Sequence, residues 1–288
     1  MQIKTFKNAP KFTVLQKFAV IVQTGTPAQI NEAILALRNR PEFSGKAWQI
    51  NFIKLQSIFE NGVPLFSIFA LGGNSKLPFV SFSTLPGVTC PGAGECLTFC
   101  YSFRAWRYPA AFARMVQNAW LLRFNKRAIV DAFKDIARDN PAGFDFRLYV
   151  DGDFSSLYDV DFWMLLLADT PTARAYGYSK SFIELLKFQG RWPANYQLNI
   201  SGGHNAAPAI IEKIKALPIT RGEFVAVSIG RKVKGNEHGT HAVNAALRAA
   251  TKGEKIFPCP GACGACTGKG HACGMQTLKG IKIAIAMH

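Results

Sequence analysis

The sequence predicts an α/β protein whose repeated βα units form a TIM-like barrel, complete or partial, with a small N-terminal α+β extension. Three observations carry the prediction. From residue 144 onward, apolar strand-like runs alternate with helical stretches. The residues just after each run are polar or glycine-rich, as they are where a parallel fold gathers its ligand-binding loops. The 7 cysteines fall in two tight groups, each directly after a strand candidate.

Residues 1–76 form the expected extension and residues 77–288 the barrel-like domain that carries both cysteine groups. The start, MQIKTFKNAPKF, is basic but has neither the apolar core nor the cleavage site of a signal peptide. No apolar run approaches the length of a membrane span, so the expected location is the cytoplasm. There, grouped thiols bind metal more often than they form disulfides. A helix is expected over residues 27–40, with Thr26 as its cap and Pro27 in its first turn. Residues 62–73 and 77–87 read as two strands joined by the turn-forming GGNSK. A long basic amphipathic helix follows the first cysteine group, from about residue 108 to 137, with Arg114, Arg123, Lys126 and Arg127.

The βα alternation comes next. Strands are expected at 144–150, 173–178, 196–201 and 223–230, with helices at 157–169, 180–188, 207–217 and 240–250 between and after them. A last strand, KIFPC, leads into the second cysteine group. The strand ends carry Asp151-Gly152-Asp153, Ser179-Lys180, Ser201-Gly202-Gly203-His204 and Gly230-Arg231-Lys232. In a parallel fold these would share one edge with both cysteine groups.

The cysteines are the chemical signal. Cys259-x3-Cys263-x2-Cys266-x6-Cys273 offers four thiolates laced with Gly261, Gly264, Gly268, Gly270 and Gly274. Four thiolates suit a tetrahedral zinc ion or an iron–sulfur cluster, and glycines let the backbone wrap closely around either. Only Cys263 and Cys266 have the two-residue gap of a zinc knuckle, so the spacing favours iron–sulfur, most simply a 4Fe-4S cluster, over zinc. The triplet Cys259-x3-Cys263-x2-Cys266 also resembles radical S-adenosylmethionine enzymes. In that family the triplet follows the first barrel strand and leaves one iron open, whereas here it is C-terminal and Cys273 can close the set. His271 is a further candidate ligand, although a glycine-flanked histidine at the surface is the simpler expectation.

Cys90-x5-Cys96-x3-Cys100 supplies three thiolates, so its site is incomplete or open to a substrate or cofactor. Asp151 and His204 are the candidate fourth ligands or their supports, and Asp153 and Lys180 the candidate catalytic groups. A helix-capping role is the competing expectation for the Asp-Gly-Asp turn. Ligands pooled between the two groups are a third arrangement, since a closed barrel sets its first and last strands side by side.

Charge points to a partner. The chain has 34 Lys and Arg against 18 Asp and Glu, a net charge of +16. Such a field attracts polyanions, nucleic acid or nucleotide above all. Arg104, Arg107 and Arg114 beside the first cysteines, with Arg231 and Lys232 at a later strand end, are the candidate phosphate contacts. The aromatics among the first three could instead wall a cluster from solvent. No Walker-type glycine loop, catalytic triad string or metal-hydrolase motif is present, which argues against ATP use and simple hydrolysis.

The string CPGAGECLTFCYSFRAWRY, followed by LYVDGDFSS, YGYSKS, the segment at 193–195 and the four-cysteine group, resembles the phage gene product eighty-eight family. The similarity spans roughly residues 75–275 and leaves the N-terminal eighty aside. The resemblance implies a phage or plasmid origin, which makes the expected cytoplasm that of a bacterial host cell, and adds weight to iron–sulfur binding, without supplying a reaction. The combined expectation is an iron–sulfur protein with a closed four-cysteine cluster and an open three-cysteine one, acting on or near nucleic acid. Its rivals are a zinc-stabilised nucleic-acid-binding regulator without catalysis and a radical S-adenosylmethionine-like enzyme.

Overall fold

A computed structural model describes residues 9–72, 77–264, 266–267 and 270–287. The expectations for residues 1–8, for most of the GGNSK turn and for Gly268 fall outside these residues. The strands are β1 (Ala70–Leu71), β2 (Val80–Ser81), β3 (Phe144–Leu148), β4 (Ala173–Ser179), β5 (Tyr196–Ser201), β6 (Thr220–Val227), β7 (Ile256–Pro258) and β8 (Lys282–Ala286). They form one sheet in the order β1-β2-β3-β4-β5-β6-β8-β7. Only β1 runs antiparallel to its neighbour, and every other pair is parallel. Among the helices are α1 (Pro10–Thr24), α2 (Pro27–Arg38), α3 (Lys46–Asn61), the short α4 (Cys96–Phe99), α5 (Pro109–Phe124) and α6 (Lys126–Asp139). After β3 come α7 (Leu157–Ala168), α8 (Phe182–Lys187), α9 (Pro208–Lys215) and α10 (His241–Ala250), each following its strand as the sequence predicts.

The sheet is open, so the TIM-like barrel is not formed. Its two edges are short and occupied differently, by the antiparallel β1 and by the three-residue β7. The strand order explains which face each connection takes. From β2 to β6 each new strand adds on the same side of the last, so right-handed crossovers place α5 to α9 on one face. There Phe144 and Phe146 of β3 pack on Phe133 of α6 and Trp163 of α7. At the far edge the direction reverses, because β8 inserts between β6 and β7. A right-handed crossover running backwards puts its connection on the opposite face. That connection is the four-cysteine loop, and it covers the face a closed barrel would turn inward. Phe79, Tyr176 and Ile283 pack there on Ala272 and Cys273.

The N-terminal part is mostly helical, with β1 as its one short strand among the described residues. Thr26 caps α2, as the sequence predicts, and with Gln29 it forms a reciprocal capping box; α1 and α3 pack on α5 in the main core, with α2 against α1 and α3. The strand expected at 62–73 shrinks to Ala70–Leu71 because side chains satisfy its backbone instead. Gln117 on α5 accepts from the amides of Leu65 and Phe66 and donates to the Phe66 carbonyl, at 2.9 Å in each case. Asn118 donates to the carbonyls of Ile68 and Ser83. The long helix expected over 108–137 breaks at Asn125, whose side chain accepts from the Ala128 amide and so starts a new helix.

Candidate functional site

The three-cysteine loop lies across the carboxyl ends of β3, β4 and β5, and glycines permit the approach. A Cβ on Gly92 would stand 1.7 Å from the Lys180 carbonyl oxygen, and one on Gly94 would meet His204 and Asn205 at 3.0 Å. Cys96 donates its amide to Gly203, where a Cβ would press on Cys96 itself. Thus Ser179-Lys180 and Ser201–His204 meet the first cysteine group at one edge, as the sequence predicts.

The carboxylates there are tightly held. Asp153 is buried and accepts from Ser179 Oγ (2.7 Å), the Lys180 amide (2.7 Å) and the Phe154 amide (2.8 Å). Both its oxygens are thus used in tying β3 to β4. Burial pushes its carboxyl up, against those hydrogen bonds. Asp151 accepts from Ser83 Oγ at 3.1 Å. Burial raises its carboxyl too, opposed by Ser102, Ser83, Arg147 and Arg114. Lys180 Nζ donates to Ser201 Oγ at 2.7 Å and lies near the Cys90 thiol. The Cys90 thiol is pushed far up by burial and then by Asp153, with Cys100 also among its neighbours. His204 receives the Ala206 amide at Nδ1 and packs on Phe182, and burial followed by Lys180 lowers its pKa. Ahead of this turn, Tyr149 holds a left-handed φ of 54° that non-glycine residues rarely adopt. Its ring points into the helix-side core, and its hydroxyl accepts from Trp163 Nε1.

The four-cysteine loop lies on the opposite face of the sheet from the helices. Gly261, Gly264 and Gly270 take φ values of 76°, 110° and 138°, which the tight turns around the thiols require. The Gly261 and Ala272 amides point at Cys259 Sγ (3.4 Å) and Cys266 Sγ (3.2 Å). Tyr178 Oη donates to Cys273 Sγ at 2.7 Å. Asn199 donates to the Cys273 carbonyl, and the fully buried Arg221 donates to Asn199 Oδ1 (2.6 Å) and to the carbonyls of Leu278 and Ile281 (both 2.9 Å). His271 is buried rather than at the surface, stacked near Phe79 and Tyr176 with Asp145 4.0 Å away. Burial pushes the Cys259 thiol up to about 11 and the Cys273 thiol up to about 12. Cys90 and Cys100 have thiols of the first group among their charge neighbours, and Cys259, Cys266 and Cys273 have thiols of the second.

Among the described residues, no group of three or more His, Cys, Asp or Glu side chains is drawn together closely enough to hold a metal ion. The surroundings of the four thiols nevertheless fit an anionic thiolate centre. Arg147 Nε and His271 Nδ1 are buried there without hydrogen-bond partners, and the Tyr176 hydroxyl faces the Cys263 thiol. An unmet guanidinium N–H calls for an acceptor or a negative charge, and two guanidiniums, Arg147 and Arg221, stand nearby to balance one.

Of the predicted phosphate contacts, Arg104 and Arg107 are exposed on the turn just after Cys100, and Arg114 faces Asp151. Arg231 and Lys232 lie elsewhere, on an exposed loop beyond β6 where Arg231 pairs with Glu237 at 3.0 Å. Arg147, Tyr176, Tyr178, Asn199 and Arg221 escaped the sequence reading. Their one visible signal is polarity within strands: an arginine inside FDFRLYV and an asparagine inside YQLNIS.

A family model, Gene product 88, matches residues 57–277, from the end of α3 through both cysteine groups. No curated protein and no solved structure matches the chain.

Proposed function

The chain belongs to the Gene product 88 family, and we propose that it is an iron–sulfur protein with two separate thiolate sites of different character. Cys259, Cys263, Cys266 and Cys273 would hold a closed cluster, structural or electron-carrying. The observation that carries this reading is the buried guanidinium of Arg147, whose Nε–H has no partner and whose charge neighbours include Cys263 and Cys259. Bound thiols must lose their protons, so assembly would release protons and the nearby guanidiniums would balance the charge. Amides aimed at Cys259 and Cys266 and the Tyr178 hydroxyl at Cys273 are the hydrogen bonds that tune such a centre.

Cys90, Cys96 and Cys100 would hold the second cluster, with a position left for substrate or cofactor. When bound, an open iron supplies a Lewis-acid or one-electron position. Lys180 and Arg114 offer positive charge beside it, and Asp153 fixes the strand ends that shape it. Arg104 and Arg107, exposed on the turn after Cys100, suit the phosphates of a nucleic acid or nucleotide.

Anaerobic purification followed by iron, sulfide and zinc analysis tests the reading. Iron and sulfide in equal amounts, with visible charge-transfer absorption, are the expected result. A colourless protein that binds zinc alone would overturn it in favour of a zinc-stabilised regulator. Cys273→Ser is expected to remove one cluster and leave the other.

A further inference from the structure

Lys180 brings a positive charge to the carboxyl edge of the sheet without a counter-charge. It stands one residue past the end of β4 and is half-buried. Its backbone is fixed twice. Asp153 accepts from its amide at 2.7 Å, and a Cβ on Gly92 would stand 1.7 Å from its carbonyl oxygen. From this fixed backbone Nζ reaches the end of the next strand and donates to Ser201 Oγ at 2.7 Å. Ser201 lies on a turn that is itself pinned: the Gly202 amide donates to Phe224 at 2.9 Å, and Gly203 accepts from the Cys96 amide at 3.4 Å. Asp153 uses its oxygens on Ser179 and on the amides of Lys180 and Phe154. No carboxylate forms an ion pair with Lys180 among the described residues. An ammonium has three N–H groups, and a hydroxyl that accepts still has its own proton to give. Two N–H groups of Lys180 and the O–H of Ser201 therefore wait for an acceptor. His204 flanks them, since Ala93 bridges to it directly after the Gly92 that presses on Lys180. Its Nδ1 accepts from the Ala206 amide at 3.3 Å and burial lowers its pKa, so the neutral ring carries its proton on Nε2.

We propose that Lys180 and Ser201, flanked by His204, bind a phosphoryl group, as free phosphate or as the 5′-phosphate of a nucleotide. Donors without acceptors, one of them a cation, are the complement of an oxyanion. A planar carboxylate suits the fork of an arginine, whereas the pyramid of phosphoryl oxygens can be met by separate point donors such as an ammonium and a hydroxyl. All three side chains are half-buried, so a ligand can reach them from solvent and yet displace part of it. The pinned backbones hold the donors in place before the ligand arrives, which lowers the ordering cost of binding. The site is distinct from the exposed Arg104 and Arg107, and it stands independently of the iron–sulfur reading, because phosphate binding here requires no cluster.

The test is calorimetric titration of the full chain, in phosphate-free buffer at constant ionic strength, with inorganic phosphate, a 5′-mononucleotide and the matching nucleoside. A chain of +16 attracts any anion, so a control must remove one charge elsewhere. Lys213→Met does so: Lys213 is exposed near the end of α9 that leads into β6, at the opposite edge of the sheet. Lys180→Met is expected to weaken phosphate and mononucleotide binding by about tenfold or more, and Ser201→Ala by a smaller factor. Lys213→Met should leave both affinities as they are. A mononucleotide bound more tightly than phosphate identifies a nucleotide as the ligand, and equal affinities identify free phosphate. Native phosphate affinity in Lys180→Met, or an equal loss in Lys213→Met, overturns the site. Should Lys180→Met fail to fold, Ser201→Ala carries the test, and native phosphate affinity in that variant overturns the site. Iron analysis of the same preparations keeps the two readings apart. Phosphate binding by an iron-free chain overturns the iron–sulfur reading alone, and an iron-loaded chain that ignores phosphate overturns this inference alone.

Discussion

Single residues show how burial, rather than sequence position, sets the chemistry of this chain. Asp159 in the first turn of α7 is buried and accepts from the Ser155 amide at 3.1 Å and from the Ser155 hydroxyl. Burial raises its pKa, outweighing those bonds and the nearby Lys126. A carboxyl with a raised folded pKa binds its proton more tightly in the folded state. Its contribution to stability is therefore full below the ordinary value of about 3.9 and is lost as pH rises through the folded value. The stability difference between the native chain and Asp159→Asn should accordingly move against the native chain as pH climbs from about 4 toward neutrality. Urea midpoints at stepped pH read this, and a difference that stays flat with pH would refute it. Asp159 lies away from the cysteines, so the measurement is independent of metal. At this scale the sequence was legible for the residues with a pattern, the cysteines and the Asp-Gly-Asp turn. It was illegible for Arg147 and Arg221, because a lone arginine in a strand looks like surface charge until its neighbours are known.

At the scale of elements, strands and helices that obey the βα rhythm could be read, and the exceptions have physical causes. The stretch at 62–73 has strand composition, but α5 supplies Gln117 and Asn118 to its backbone and removes the need for a strand partner. The β8 strand follows the second cysteine group, outside the alternation, so nothing in the rhythm announces it. Yet β8 decides the topology, since its place between β6 and β7 sends the four-cysteine loop to the free face of the sheet. Arg221 then holds that loop from beneath through Asn199, Leu278 and Ile281. Arg221→Met should leave those buried acceptors unmet at a cost of roughly 3 kcal/mol. The loss should be localised, with proteolysis advancing first within residues 259–281. Arg221→Lys should recover only part, since an ammonium lacks the fork that spans separate acceptors. Thermal unfolding with mass-mapped proteolysis reads both, and cleavage that starts elsewhere would disprove the anchoring role.

Over the whole molecule, the open sheet and the charge combine into one expectation. The helices bury one face and the four-cysteine loop the other, so the carboxyl ends of β3, β4 and β5 are the edge left for a partner. That edge carries the three-cysteine loop, with Arg104, Arg107 and the exposed Tyr101 and Tyr108 on the turn beyond it. No helix among the described residues is long and apolar enough to cross a membrane. A chain of +16 attracts any polyanion from a distance, so the useful measurement is one that separates general attraction from binding at this edge. If single-stranded nucleic acid binds there, its affinity should fall with salt, and log affinity against log salt should be linear. Replacing Arg104 and Arg107 together by Gln should flatten that slope by about 0.7 for each phosphate no longer neutralised. Tyr101→Ala with Tyr108→Ala should weaken binding with the slope kept, because stacking releases no counterions. The same pair of Gln substitutions should leave far-ultraviolet circular dichroism and thermal midpoint unchanged, both arginines being exposed. An affinity that ignores salt, or a slope that ignores the two arginines, would remove nucleic acid from this edge and return the charge to a general surface property.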